Sequence, residues 1–228
     1  MREINMLKGY PEPSTPRIVG PNNRTITNRI IASYRDKEYF DGDRDNGYGG
    51  YNYDGRWQPI VKNMCNEYSL NNNSSVLQIG CEKGFMLNDF KDLYPDIKII
   101  GIETSDYAIK TSMDSVKPYI IKNEIDSLPF DNDEFDLVIA ANIVYTINLC
   151  GVIKCLKEIE RVKKSYSFIT LGAYKNTSEK QLFEWWTILG CTILHEQDWL
   201  EVMKHAGYTG DYKFTTSKSL NLRAESNI

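Results

Sequence analysis

The sequence lacks several features that would assign it to other classes of protein. It contains only two histidines, and its five cysteines show no CxxC or Cys/His spacing, so we predict no metal site. Its longest apolar runs, such as Leu137–Ile143, fall far short of the roughly 20 residues that span a bilayer. Charge is close to balance, with 27 basic and 31 acidic side chains, and no basic stripe is visible. We therefore expect neither a nucleic-acid partner nor a membrane partner.

Composition indicates a folded protein in a reducing compartment. The chain has 228 residues, of which 41% are apolar and 25% are charged, as in an average soluble domain. Residues 1–16 contain no apolar stretch typical of a secretion signal, and the odd number of cysteines does not suggest a disulfide framework. We expect a cytoplasmic protein built on one α/β domain.

The chain divides into a polar N-terminal segment and an alternating pattern of strands and helices. Residues 1–57 combine proline, glycine and aromatic residues without a strand pattern, and we predict that they form a lid on the domain of residues 58–228. Strands are predicted at 75–79, 98–102, 119–122, 135–141, 167–172 and 212–216. Helices are predicted at 58–70, 84–94, 105–114, 147–162, 178–189 and 197–205. This alternation predicts a Rossmann-like fold with a mainly parallel sheet and helices on both faces.

A strand, a glycine loop and a helix follow one another at residues 76–85, which read VLQIGCEKGF. Gly80 allows a ligand to approach the backbone closely, and Gly84 opens the helix, whose first amides favour an anionic group. The G-x-x-x-G spacing is neither the dinucleotide pattern nor the phosphate-loop pattern, which disfavours a nicotinamide oxidoreductase. Glu103, at the end of the next strand, is placed to accept the two hydroxyls of a ribose, or alternatively to cap the following helix.

Residues 75–216 resemble the class I S-adenosylmethionine-dependent methyltransferases. The resemblance rests on the glycine loop, on GIETS at 101–105, on SLPF at 127–130 and on FDLVI at 135–139. The segments YFDGDR at 39–44, GYGGY at 47–51 and YDGRW at 53–57, with AGYTGDY at 206–212, look like one bacterial subfamily of these enzymes. Members of that subfamily often accompany surface-polysaccharide genes.

The resemblance implies S-adenosylmethionine as cofactor and S-adenosylhomocysteine as product. Gly80 and Gly84 would line the methionine part, Glu103 would hold the ribose, and Glu124 or the backbone of Ile125 would meet the adenine. Ala141 and Asn142 would face the sulfonium. The full set of predicted cofactor-binding residues is Gln78, Gly80, Cys81, Glu82, Gly84, Glu103, Thr104, Glu124, Ile125, Ala141 and Arg56.

Three residues depart from the pattern of these enzymes. Gln78 stands where the first loop normally has an acid, Glu82 stands where a third glycine is usual, and Tyr145 replaces a subfamily histidine. Glu82 could supply the missing negative charge from a new place, although its Cβ is unfavourable where glycine permits positive φ. The alternative hypothesis is a non-catalytic methyltransferase-fold subunit that supports an active partner.

The acceptor is predicted to be a small polar molecule, methylated on oxygen or nitrogen. A sugar or a phosphate-bearing intermediate of capsule or lipopolysaccharide synthesis fits the subfamily resemblance. Tyr145 is the leading candidate in the acceptor site, followed by Asn142 and His195, although His195 also fits a surface histidine. Arg56 is placed either to close on an anionic group or to form a structural ion pair. A helical segment at about 175–200 would cover the acceptor, and the chain is expected to pair with a second copy or a related methyltransferase.

Overall fold

The computed structural model describes residues 1–225, which contain nine strands and eight α-helices. The strands are β1 (Arg17–Val19), β2 (Ser75–Ile79), β3 (Lys98–Glu103), β4 (Ile120–Lys122), β5 (Phe135–Ala140), β6 (Lys163–Tyr174), β7 (Leu194–His195), β8 (Asp211–Thr215) and β9 (Leu222–Ala224). The helices are α1 (Ile26–Ser33), α2 (Lys37–Phe40), α3 (Gln58–Glu67), α4 (Phe85–Leu93), α5 (Asp106–Lys110), α6 (Leu149–Val162), α7 (Thr177–Trp186) and α8 (Glu196–Ala206).

Seven strands form one sheet in the order β4-β3-β2-β5-β6, with β7 and β8 both paired to β6. Every pairing in this sheet is parallel. The chain winds outward from β2 to β4 and then returns to place β5 on the other side of β2. The order therefore reverses between β2 and β5, which is where doubly wound sheets open a crevice for ligands. The predicted Rossmann-like fold is confirmed.

The central strands are buried because helices cover both faces of the sheet. β5 has five buried residues out of six, as expected for an apolar strand in the middle of a parallel sheet. α6 places Val152, Cys155, Leu156 and Ile159 on the sheet at helical spacing, while its charged residues face outward. A second apolar cluster, which includes residues of α3 and α4, covers the opposite face.

The N-terminal segment differs from its prediction in one respect. Residues 17–19 form the strand β1, which pairs in parallel with β9 at the far end of the chain. The prediction of no strand there was wrong, because a three-residue strand whose partner lies some two hundred residues away has no local pattern of its own. The helices α1 and α2 of this segment pack against the rest of the chain.

The lid is anchored to the domain by a buried ion pair. Lys83, in the glycine loop, is 5% exposed and donates to both carboxylate oxygens of Asp41 at 2.8 and 2.7 Å. Asp41 also accepts from the Tyr107 hydroxyl at 2.7 Å and from the backbone amide of Tyr51 at 3.0 Å. Around this pair lies a cluster of stacked and edge-on rings, formed by Tyr39, Phe40, Tyr48, Tyr51 and Phe85.

A second anchor joins α1 to the end of α7. Arg29 donates to the backbone carbonyls of Glu184 and Thr187, both at 2.7 Å, and Arg24 donates to the carbonyl of Trp186. The last carbonyls of a helix lack intrahelical partners and carry partial negative charge, so guanidinium groups satisfy and stabilise them. α7 is shorter than predicted, and it ends where these arginines meet it.

Candidate active site

A cavity of about 320 Å³ lies at the carboxyl ends of β2 and β5. Its floor is the glycine loop and the segment after β5, its roof is the lid, and one side is the turn after α7. The lining residues with chemical interest are Arg17, Arg24, Arg35, Tyr39, Arg44, Tyr48, Tyr51, Arg56, Gln78, Gly80, Cys81, Glu82, Ala141, Asn142, Tyr145, Trp186 and Thr187. The cavity thus combines the predicted cofactor loop with lid residues that the sequence did not single out.

Gly80 and Gln78 form the part of the floor that follows β2. Gly80 has a φ of +69°, and a Cβ at this position would lie 2.8 Å from the Ile143 side chain, so the turn requires glycine. The Gln78 side chain is buried, and its Oε1 has no hydrogen-bond partner among residues 1–225. A buried acceptor without a partner is costly unless a ligand donates to it. Gly80 and Gln78 together therefore fit a ligand that lies close to the backbone and carries an N–H donor.

Glu82 occupies the left-handed conformation that the sequence analysis anticipated. Its φ is +53°, which is unfavourable for a residue with a Cβ and is typical of strained functional sites. Its carboxylate accepts from the Tyr48 hydroxyl at 2.6 Å, so the residue also connects the loop to the lid. Burial raises the pKa of Glu82, and the nearby charge of Arg35 opposes that shift.

Glu103 is buried beneath the cavity and fully engaged with protein groups. Its side chain is 1% exposed and accepts from the backbone amides of Glu82, Thr104 and Ser105, each at 2.8 Å. The lid residue Arg35 lies 3.4 Å from the same carboxylate. The cap of α5 is Ser105, whose side chain accepts from the Ala108 amide, whereas Glu103 binds amides that precede the helix. The ribose role of Glu103 stays a prediction that requires Arg35 to give way.

The segment after β5 supplies the two leading acceptor-site candidates. Asn142 has a φ of +59°, and its amide donates to the Thr170 hydroxyl at 2.6 Å, which in turn donates to the Asn142 side chain at 3.0 Å. Tyr145 is 4% exposed and packs edge-on against Phe183. Burial raises the pKa of the Tyr145 hydroxyl, which makes it a poor base at neutral pH.

Several predicted site residues lie outside the cavity lining. His195 caps α8 by accepting from the Gln197 amide at 3.2 Å. This capping role accounts for the residue at this position without a role in binding the methyl acceptor. Glu124 is exposed and Ile125 is in the core, on the turn after β4. Gly84, Glu103 and Thr104 also lie outside the lining.

Arg56 lines the cavity but is already paired. It donates to the Asp54 carboxylate at 2.5 to 2.9 Å and lies over the Tyr10 ring. Arg56 thus forms a structural ion pair, which is one of its two predicted roles.

The sequence analysis missed most of the cavity roof. It did not consider Arg17, Arg24 or Arg35, and it noted Arg44 and Tyr48 only as members of the segments 39–44 and 47–51, without a role in the site. Isolated arginines in a polar segment resemble solvated surface, and only the docking of the lid brings them together. The one usable signal was the density of aromatic residues, which indicated a folded segment.

Residues 1–225 contain neither a membrane-spanning helix nor a cluster of metal ligands. No helix of that range is long and apolar enough to cross a membrane. The same residues contain no group of three or more His, Cys, Asp or Glu side chains that could hold a metal ion.

Residues 77–170 match a protein family described as a methyltransferase domain. Over these residues the chain is similar to a methyltransferase domain. The match runs from β2 into β6 and so includes the glycine loop, Glu103 and Tyr145. S-adenosylmethionine is the cofactor of this class of domain.

Individual relatives are distant. The chain is 29% identical over 119 residues to the carboxy-S-adenosyl-L-methionine synthase of Campylobacter fetus, covering 51% of this chain and 48% of that protein. It is 28% identical over 102 residues to the malonyl-[acyl-carrier protein] O-methyltransferase of Legionella pneumophila, covering 42% of this chain and 36% of that protein. These alignments thus span half or less of the curated relatives' lengths.

A solved structure shows the same fold. A chain in the complex that contains the Haloferax volcanii Trm112 methyltransferase activator superposes with a TM-score of 0.52 at 18% identity, covering 64% of this chain and 71% of that chain. At this identity the likeness shows the fold alone.

Proposed function

We propose that the chain is an S-adenosylmethionine-dependent methyltransferase that acts on oxygen or nitrogen of a small polar acceptor. The observation that carries this proposal is the single cavity that joins the glycine loop after β2 to Asn142 and Tyr145 after β5. These are the two strands between which the order of the sheet reverses. A roof formed by the lid makes the cavity suitable for a small molecule rather than a polymer.

The residues of the methionine end fit the cofactor better than those of the ribose end. The partnerless Gln78 Oε1 would accept from the cofactor ammonium, and Gly80 leaves room for the chain beside it. Glu82 lies in the same lining and would bring the negative charge that Gln78 lacks. At the ribose end, Glu103 would exchange its contact with Arg35 for the ribose hydroxyls.

When bound, the cofactor supplies an electrophilic methyl group on sulfur. The chain's own part is to align the acceptor atom with that methyl group and to exclude water. Asn142 and Tyr145 would orient the acceptor, since the raised pKa of Tyr145 argues against proton abstraction by its hydroxyl.

A sugar or a phosphate-bearing intermediate remains the acceptor class that we favour. The link to polysaccharide synthesis rests on the subfamily resemblance of residues 39–57. A cytoplasmic location and pairing with a second copy or a related methyltransferase likewise stay predictions.

The non-catalytic subunit is the second candidate, and the Arg35–Glu103 contact favours it. A lid residue that occupies the ribose-binding carboxylate would be a natural feature of a domain that no longer binds cofactor. The two candidates differ in what happens to that contact in the presence of ligand.

Calorimetric titration with S-adenosylhomocysteine distinguishes them. We expect saturable binding to the full chain, a rise in melting temperature by mass action, and no response to NAD. A Gln78→Ala variant should bind more weakly. Absence of binding up to millimolar ligand would refute the enzyme and favour the supporting subunit.

A further inference from the structure

The wall of the cavity opposite the glycine loop is strongly basic. Five arginines reach the lining, and they are Arg17, Arg24, Arg35, Arg44 and Arg56. Two of them have carboxylate partners, because Arg35 pairs with Glu103 and Arg56 pairs with Asp54. Their charges are therefore compensated within the protein.

The other three, Arg17, Arg24 and Arg44, form an arginine triad without such compensation. Within the described chain, the arginines that form ion pairs are Arg2, Arg35, Arg56 and Arg161, and no triad member is among them. The triad also lines an adjoining groove of about 200 Å³. It thus stands between the cavity and that groove, open to both.

The three charges oppose one another. Burial, with the charge of Arg44 as the next cause, lowers the pKa of Arg24 to about 10. Burial and Arg44 also lower the pKa of Arg17. Asp45 lies in the groove and partly offsets the charge at Arg24, but it forms no ion pair with it. Arg17 and Arg24 are half-buried, and Arg44 is exposed beside them. Clustered cations of which some are partly removed from water are costly unless an anion neutralises them.

The triad is held in place by the fold rather than by flexible chain. Arg17 is on β1, which is fixed by its pairing with β9. Arg24 lies over the Trp186 ring at 5.5 Å and donates to the Trp186 carbonyl. Arg44 donates to the Gly47 carbonyl at the end of a short turn. Each of these contacts leaves other guanidinium N–H groups free for a ligand, since arginine has five.

We propose that the arginine triad binds a phosphoryl group of the methyl acceptor, which places the acceptor in the class of phosphate or diphosphate esters. Guanidinium groups match phosphate oxygens in geometry, and three cations match a group that carries two or three negative charges. The inference rests on the proposed function, because the acceptor then extends from the triad toward Asn142 and Tyr145 in the same cavity. The triad supplies binding and position and takes no part in the bond changes.

The test measures binding of inorganic pyrophosphate and inorganic phosphate to the full chain by calorimetry at fixed, low ionic strength. Arg24→Gln and Arg17→Gln should each weaken pyrophosphate binding about tenfold or more, as expected for loss of a charge-assisted hydrogen bond. If loss of the Arg24 contact to Trp186 loosens the lid, Arg17→Gln is the variant that tests the proposal. The matched control is Arg223→Gln, which removes an exposed charge on β9 beside β1 and should change affinity less than about twofold.

A parallel titration with S-adenosylhomocysteine separates this proposal from the proposed function. One outcome is that S-adenosylhomocysteine binds normally while pyrophosphate either does not bind or binds equally to all variants. This result would overturn the proposed phosphoryl-binding role of the triad and leave the proposed methyltransferase function intact. Tighter binding of a dicarboxylate such as succinate than of pyrophosphate would also overturn the phosphoryl assignment. Pyrophosphate binding that depends on Arg17 and Arg24, without any binding of S-adenosylhomocysteine, would support the anion site and refute the enzyme.

Discussion

Replacement of Glu103 by alanine should destabilise the whole domain, beyond any effect on cofactor binding. The carboxylate satisfies the backbone amides of Glu82, Thr104 and Ser105, each at 2.8 Å, in a site that is 1% exposed. Each buried donor left without an acceptor costs about 1–3 kcal/mol. Water entering from the adjacent cavity would recover part of this, so we expect a loss of about 3–5 kcal/mol in the free energy of unfolding.

A loss of that size is large against the roughly 5–15 kcal/mol that stabilises a typical domain. Arg35 would add to it, since its half-buried guanidinium loses its only carboxylate partner in the described chain. Urea unfolding followed by circular dichroism measures the effect, with the slope of the transition used to check that the unfolded state is unchanged.

The matched control is Glu124→Ala, which removes an exposed carboxylate from the turn after the neighbouring strand β4. It should change stability by no more than about 0.5 kcal/mol. Glu103→Gln keeps an acceptor oxygen, so its loss in free energy of unfolding should lie between those of Glu103→Ala and Glu124→Ala. A Glu103→Ala variant as stable as the control would show that the three amides do not depend on this side chain, and the reasoning would fail.

Three further predictions concern the lid and the loop. Asp41→Asn leaves the buried Lys83 without its counter-charge and should cost about 2–4 kcal/mol of stability. Burial raises the pKa of Asp41, but the hydrogen bonds from Lys83, Tyr51 and Tyr107 outweigh it, so the pKa of Asp41 is lowered overall. The stabilisation by the Asp41 carboxylate is thus fully present above its unfolded pKa near 4 and is lost as the pH falls through its folded pKa. In urea unfolding, the difference in free energy of unfolding between wild type and variant should therefore shrink in acid. Gly80→Ala meets Ile143 at 2.8 Å in a backbone that disfavours a Cβ, and should abolish S-adenosylhomocysteine binding in calorimetry; unchanged affinity would contradict the close approach. Glu82→Gln should weaken the same binding about tenfold if Glu82 supplies the charge for the ammonium, whereas equal or tighter binding would mark Glu82 as a relic of lost function.

The parallel sheet was predictable because its determinants are local. β2, β3 and β5 are short apolar runs bounded by polar turns, and each was predicted to within one residue of its observed bounds. Gly207, a residue type that commonly ends helices, ends α8 with a φ of +73°. Glu82 was anticipated to occupy a backbone conformation that suits glycine, and it does.

The lid and the basic wall were not predictable because their determinants are tertiary. β1 finds its partner in β9, and Asp41 finds its partner in Lys83, over separations that no local pattern encodes. Arg17 and Arg24 read as surface residues until α1 docks on the end of α7. Glu103 was assigned from the edge of the sheet alone, and its engagement by Arg35 depends on where the lid comes to lie.

A crystal structure of the full chain with S-adenosylhomocysteine tests the central claim most directly. We predict density for the ligand in the cavity above Gly80, with its ammonium against Gln78 Oε1 and its ribose on Glu103 in place of Arg35. A structure in which saturating ligand leaves the cavity empty and the 3.4 Å contact between Arg35 and Glu103 intact would contradict the account.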